Sequence, residues 1–117
     1  MSDELKQRTK LFALRVLKLM DALPENRKAR ILANQIGRSG TAVGANYRAA
    51  CRARSRAEFV AKIGIVEEEA DETAFWLELA GEAKILPAAR IESLHRESVE
   101  LTAIMASSRI TAQRNRN

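Results

Sequence analysis

The chain has 117 residues and a formal net charge of +5, with 46% hydrophobic, 30% charged and 4% aromatic residues. This length suits one domain that buries its own core, and the five Gly and two Pro argue against an all-β fold and indicate helices. The single cysteine, Cys51, excludes an intramolecular disulfide and a Cys₄ or Cys₂His₂ zinc site, which favours a reducing compartment. The acidic first four residues do not resemble a signal peptide, and charges interrupt the longest apolar run, so we expect a cytoplasmic protein without a membrane span.

The first two predicted helices cover residues 3–22 and 27–52. In the first, apolar positions recur at alternating steps of four and three, which places them on one side of a helix. Pro24 should end this helix, because the residue before a proline disfavours helical conformation. The second helix repeats the same spacing after a connection over residues 24–26, and we expect it to pack antiparallel on the first.

The third predicted helix covers residues 56–84 and the fourth covers residues 88–110. Ser55 and Glu58 form a capping box, in which the serine hydroxyl accepts from the backbone N–H three residues on. Pro87 suits the first turn of the fourth helix, and residues 113–117 are predicted to be a frayed tail. Four long helices with short connections predict a single domain over residues 1–117, an all-α, up-down-up-down antiparallel four-helix bundle. The main alternative is a dimer of coiled-coil hairpins.

The second helix carries a stripe of small residues. Gly37, Gly40 and Gly44 fall on one side of the helix, and glycine in a helix interior costs about 0.5–1 kcal/mol relative to alanine. The natural compensation for this cost is the close approach of another group to the helix backbone, which glycine permits because it has no side chain. The stripe therefore predicts tight packing by a neighbouring helix of the same bundle, a contact between subunits, or the close approach of a phosphate to the backbone.

A ridge of arginines occupies another side of the second helix. Residues 23–54 have seven basic and one acidic residue, whereas residues 55–86 have three basic and eight acidic residues. The ridge comprises Arg27, Arg30, Arg38, Arg48 and Arg52. Such a ridge favours contact with nucleic-acid phosphates, and its alternatives are a solvated face or ion pairs inside an oligomer. The candidate acidic partners on the third helix are Glu67, Asp71, Glu78 and Glu82, and the arginines that could extend the patch are Arg54, Arg56, Arg109, Arg114 and Arg116.

The third helix has apolar residues outside its core stripe, namely Ile65, Phe75, Trp76 and Leu79. A second apolar stripe is difficult to bury within one bundle, and exposed apolar patches usually mark interaction surfaces. We therefore expect a homo-oligomer with Trp76 in or beside the interface. The alternative is a wide core that absorbs Trp76.

No set of residues assembles into a recognisable catalytic site. Glu92 and His95 match half of a di-iron motif, but His95 is the only histidine, which excludes a di-iron site within one chain. The segment 37–40 lacks the lysine of a phosphate-binding loop. We expect no enzyme activity, no cofactor and no bound metal; the alternative is a metal-dependent enzyme with His95 and Glu92 at subunit contacts.

Residues 36–47, with the sequence IGRSGTAVGANY, resemble the four-helix bundle proteins encoded in intervening sequences of bacterial 23S ribosomal RNA genes. The likeness extends over nearly the whole chain and is most specific between Arg38 and Tyr47. That family includes the accessory variability determinant of diversity-generating retroelements. The resemblance implies a homopentameric bundle without known catalysis, and it marks Arg38, Asn46 and Tyr47 as signature positions.

In its retroelement branch, the resemblance also implies association with a reverse transcriptase and with nucleic acid. Together with the arginine ridge, it leads to the hypothesis of an accessory factor that binds RNA or DNA phosphates without sequence preference. The competing hypothesis is a protein-interaction scaffold whose arginines form salt bridges between subunits.

Overall fold

The computed structural model describes residues 2–115, and within that range the chain forms four helices. They are α1 (Ser2–Ala22), α2 (Arg27–Ala50), α3 (Arg56–Glu82) and α4 (Ala88–Arg114). α2 and α3 each end two residues before the predicted end, and α4 continues four residues beyond it. Gln113 and Arg114, placed in a frayed tail by the sequence, are therefore helical, because the last turn of α4 keeps its backbone hydrogen bonds up to Asn115. Arg116 and Asn117 lie outside the described residues.

Local hydrogen bonds determine where the helices begin and end. The Asn26 side chain caps α2 by accepting from Ala29 N at 2.9 Å, and Ser55 Oγ caps α3 by accepting from Glu58 N at 3.1 Å, as the capping box predicted. Pro87 is the residue just before α4, with φ of −61°. α3 ends at Glu82, and Lys84, two residues later, has a φ of 57° in the left-handed region that favours glycine.

The helices pack as a four-helix bundle, which confirms the predicted fold class. α2 packs beside α1 and α3, and α4 packs beside α3 and α1, while no Cα atom of α1 lies within 8 Å of one in α3 within the described part of the chain. α1 and α3 therefore occupy opposite corners of a bundle about 52 Å long and 22 by 19 Å across. Side chains from all four helices fill the axis, and the largest fully buried ones include Phe12, Ile36, Ile63, Leu77, Leu101 and Met105. No helix among residues 2–115 combines the length and apolar character that crossing a bilayer requires.

The small-residue stripe of α2 packs against α1 of the same chain. A Cβ at Gly40 would lie 2.6 Å from Val16 Cγ2, and one at Gly44 would lie 3.2 Å from the carbonyl oxygen of Thr9. Gly37 approaches the side chain of Met20 in the same way. The stripe thus brings two helices of one bundle together, the first of these interpretations, and Gly37 and Gly40 are buried by this packing.

Candidate nucleic-acid interface

All five arginines of the predicted ridge are exposed on the solvent side of α2 or in the turn after it. They do not form one continuous surface, because Arg38 in the middle is engaged by carboxylates of α3. Its Nη1 lies 3.3 Å from Glu69 Oε1, and its Nη2 contacts Glu72. Among the described residues, none of the other four has a carboxylate oxygen within 4.0 Å. A helical rise of about 1.5 Å per residue separates Arg30, on one side of Arg38, from Arg48, on the other, by about 27 Å.

A hollow between α1 and α2 adds lysines that the sequence did not assign to the site. Lys6 and Lys10 of α1 line it together with Gly44 and Arg48 of α2. Because α1 and α2 are antiparallel, the start of the first helix lies beside the end of the second. Lys6 has one exposed partner, Asp3, with Nζ 3.5 Å from Oδ1, and a surface pair of this kind is worth at most about 1 kcal/mol.

A shallow depression continues this hollow around the end of α2. Arg48 lines both, and the depression adds Arg52 and Arg54, with Glu58 as the only carboxylate among its lining residues. We call the five cations of the two concavities the basic surface, comprising Lys6, Lys10, Arg48, Arg52 and Arg54. Positive side chains converging on a concave surface with little opposing charge concentrate the field there and attract anions.

The acidic stripe predicted on α3 faces α4 rather than the arginine ridge. Glu67 Oε1 accepts from Arg109 Nε at 2.8 Å, and Glu78 Oε2 lies 2.7 Å from His95 Nε2. The hydrogen bond to Glu67 raises the pKa of Arg109 above its ordinary value. Arg109 is therefore occupied within the bundle and does not extend the basic surface.

The apolar residues outside the core of α3 lie along its outer face. Ile65 and Phe75 are 39% and 51% exposed, whereas Trp76 and Leu79 are half-buried and pack against the core. The Phe75 and Trp76 rings meet edge to face with centroids 5.1 Å apart, and the indole N–H donates to Glu72 at 3.3 Å. The bundle thus covers only part of Trp76, and a face suited to a partner stays open.

The signature positions of the resembled family serve the packing of the bundle in part. Tyr47 is buried, and the Asn46 amide donates to the carbonyl oxygen of Ala42 at 2.9 Å within α2. Thr73 Oγ1 lies 2.8 Å from Ser39 Oγ in the buried contact between α3 and α2. The polar side chains of Asn46, Thr73 and Ser39 have hydrogen-bond partners inside the protein. Their contacts therefore give no indication that they bind a molecule outside the bundle.

The two residues of the half di-iron motif are not brought together. His95 contacts Glu78 of α3, while Glu92 pairs with Arg96 on its own helix at 3.8 Å. Within residues 2–115, no group of three His, Cys, Asp or Glu side chains is arranged to hold a metal ion.

Comparison with known proteins identifies the family of the chain and a solved structure that is similar to it. The family model described as 23S rRNA-intervening sequence protein matches residues 2–107. The chain is similar to the crystal structure of a protein with unknown function from the S23 ribosomal protein family of Bacteroides thetaiotaomicron, at 37% identity and a TM-score of 0.81. The similarity covers 87% of this chain and 94% of that chain. No curated protein matches the chain significantly. The two matches confirm the resemblance predicted from residues 36–47.

Proposed function

Since this chain belongs to the 23S rRNA-intervening sequence protein family, we propose that it is a non-catalytic, homo-oligomeric accessory factor that binds the phosphates of RNA or DNA in the cytoplasm. By the family resemblance the oligomer is a pentamer. The basic surface at the end of α2 makes the phosphate contacts. Arg27 and Arg30, at the other end of the ridge, form a second and smaller cationic patch.

The observation that carries this proposal is the convergence of five cations from α1, α2 and the following turn. In the two concavities that they line, Glu58 is the only carboxylate among the lining residues. Neutralising phosphates with Lys and Arg releases condensed counterions, which supplies most of the affinity in non-specific binding. Guanidinium groups add bidentate hydrogen bonds to phosphate oxygens. A basic concavity of this composition therefore suits a nucleic-acid backbone.

The surroundings of the basic surface favour backbone contacts over base recognition. No aromatic residue lines either concavity, so the surface offers no ring on which an unpaired base could stack. Phosphate contacts fix a protein on a nucleic acid but carry no sequence information. We therefore propose binding without sequence preference.

A titration of a fluorescently labelled structured RNA at low salt tests the proposal. Arg48→Gln combined with Arg52→Gln should weaken binding about tenfold or more, which corresponds to about 1.4 kcal/mol. Arg38→Gln is the matched control: it also removes one arginine charge from α2, but that charge already pairs with Glu69 and Glu72. No measurable binding by the wild type, or equal weakening by Arg38→Gln, would contradict the proposal.

The second candidate function is a protein-interaction scaffold, for example a partner of a reverse transcriptase, with arginines used in salt bridges between subunits and no direct nucleic-acid contact. The exposed carboxylates of α3 favour it, because Glu68 and Asp71 are open to arginines of another copy. Light scattering of Arg38→Glu separates the two functions. Loss of the oligomer with helix content retained would support the scaffold, whereas an unchanged oligomer would favour binding through the basic surface.

A further inference from the structure

Two exposed apolar faces lie at opposite corners of the bundle. On α1, Leu11, Leu14 and Leu17 are 57%, 55% and 46% exposed and form what we call the leucine face. These residues occupy the side of α1 opposite its buried positions, at steps of three residues. The aromatic face on α3 comprises Ile65, Phe75, Trp76 and Leu79. Among the residues described, no Cα atom of α1 comes within 8 Å of a Cα atom of α3, so the two faces lie on different sides of the bundle.

The charges around the two faces have opposite signs. By helical spacing, Lys10 and Lys18 flank Leu14, with Asp21 at the far end of the leucine face. The aromatic face is flanked by Glu68 and Asp71, both exposed. Across the whole helices, α1 has five basic and three acidic residues, whereas α3 has two basic and eight acidic residues. A contact between two aromatic faces would therefore place like charges together, whereas the mixed contact places Lys10 and Lys18 beside carboxylates.

We infer that the leucine face of one copy binds the aromatic face of the next copy, in a head-to-tail contact. The inference rests on the homo-oligomer in the proposed function and specifies the surfaces that join its subunits. A contact between two different surfaces produces a closed ring when the rotation between copies closes, and a filament when it does not. The leucines cover the exposed ring of Phe75 and the open side of Trp76, and Lys18, which is not part of the basic surface, meets the carboxylates at the rim.

Mixing two interface variants tests the inference. Leu14→Glu removes the leucine face from a chain that keeps its aromatic face, and Phe75→Glu does the reverse. Each variant alone should be monomeric, because every contact would need one damaged face. In an equimolar mixture, one contact stays intact: the leucine face of the Phe75→Glu chain can bind the aromatic face of the Leu14→Glu chain. Native mass spectrometry should then show a heterodimer of about twice the 13.0 kDa chain mass and no larger species.

Matched controls separate a lost interface from a damaged fold. Val99→Glu places the same charge at a residue of α4 that is 48% exposed and belongs to neither face, so it should keep the wild-type oligomer. Far-ultraviolet circular dichroism must show wild-type helix content for each variant, and Phe75→Gln replaces Phe75→Glu if the added charge unfolds α3. If the wild type itself is monomeric, the proposed oligomer fails. If the wild type is oligomeric and either variant keeps its size, or the mixture stays monomeric, only the head-to-tail contact is overturned.

Discussion

Replacing Gly40 by alanine probes the close approach of α1 and α2, on which the basic surface depends. The new Cβ would lie 2.6 Å from Val16 Cγ2 and 2.8 Å from Cγ1. Val16 is completely buried and β-branched, so its methyl groups cannot rotate away and the two helices must separate. Overpacking of this kind costs about 1–3 kcal/mol, while alanine returns about 1 kcal/mol through its helix propensity.

Gly64→Ala is the matched control on α3. There the nearest atom to a new Cβ is Arg109 Cδ at 3.9 Å, an ordinary van der Waals contact. This variant should raise the free energy of unfolding by up to about 1 kcal/mol. Because both variants gain the same helix propensity, the difference between them isolates the clash, which we expect to be about 1–3 kcal/mol.

Urea unfolding followed by circular dichroism measures both free energies. All proteins must be compared at one concentration, because the stability of an oligomer depends on concentration. Gly37→Ala should fall between the two variants, since a Cβ there meets the flexible end of Met20, with Sδ at 2.8 Å. If Gly40→Ala is as stable as Gly64→Ala, then α1 and α2 do not approach as closely as described and the reasoning is refuted.

Three further predictions concern local features. Lys84→Gly should stabilise the protein by about 1 kcal/mol, since it relieves a left-handed φ of 57° at the end of α3; no gain in a urea midpoint would contradict that geometry. Ser55→Ala should cost about 1 kcal/mol by removing the hydrogen bond to Glu58 N, and an unchanged midpoint would show that the cap contributes nothing. Burial, followed by a hydrogen bond involving Cys51, raises the pKa of Tyr47, the only tyrosine, above its ordinary value of 10.0. Because the folded state holds the proton more tightly, the contribution of Tyr47 to stability is constant below about pH 10 and falls above it. Phenolate absorbance should therefore appear together with unfolding, and its appearance near pH 10 in the folded protein would contradict the prediction.

Features that depend on local sequence were predictable. The steps of four and three placed the four helices, and the Ser55 cap and Pro24 placed two of their boundaries within two residues. α2 and α3 were predicted to end two residues later than they do, and α4 was predicted to end four residues earlier than it does. Nothing in the apolar pattern marks where backbone hydrogen bonds stop, since helix ends fray and their boundaries depend on capping.

Which residues form the site depends on contacts between different helices, and the spacing of residues along the sequence does not reveal those contacts. Lys6 and Lys10 join Arg48 only because the glycine stripe draws α1 onto α2. The partners of Arg38 are Glu69 and Glu72, not the acidic stripe predicted on α3, because packing sets the rotation of α3 about its own axis. The leucine face was missed for a related reason: its residues alternate with core positions in the same apolar run, and only burial separates them.

The dependence of RNA affinity on salt shows whether the basic surface holds phosphates. If the basic surface holds phosphates, the logarithm of the association constant falls linearly with the logarithm of salt concentration between about 50 and 200 mM. The slope should become shallower by about two when Arg48 and Arg52 are both replaced by glutamine, and it should keep its wild-type value in Arg38→Gln. A wild-type affinity without salt dependence, or a slope unchanged by the double substitution, would contradict the account.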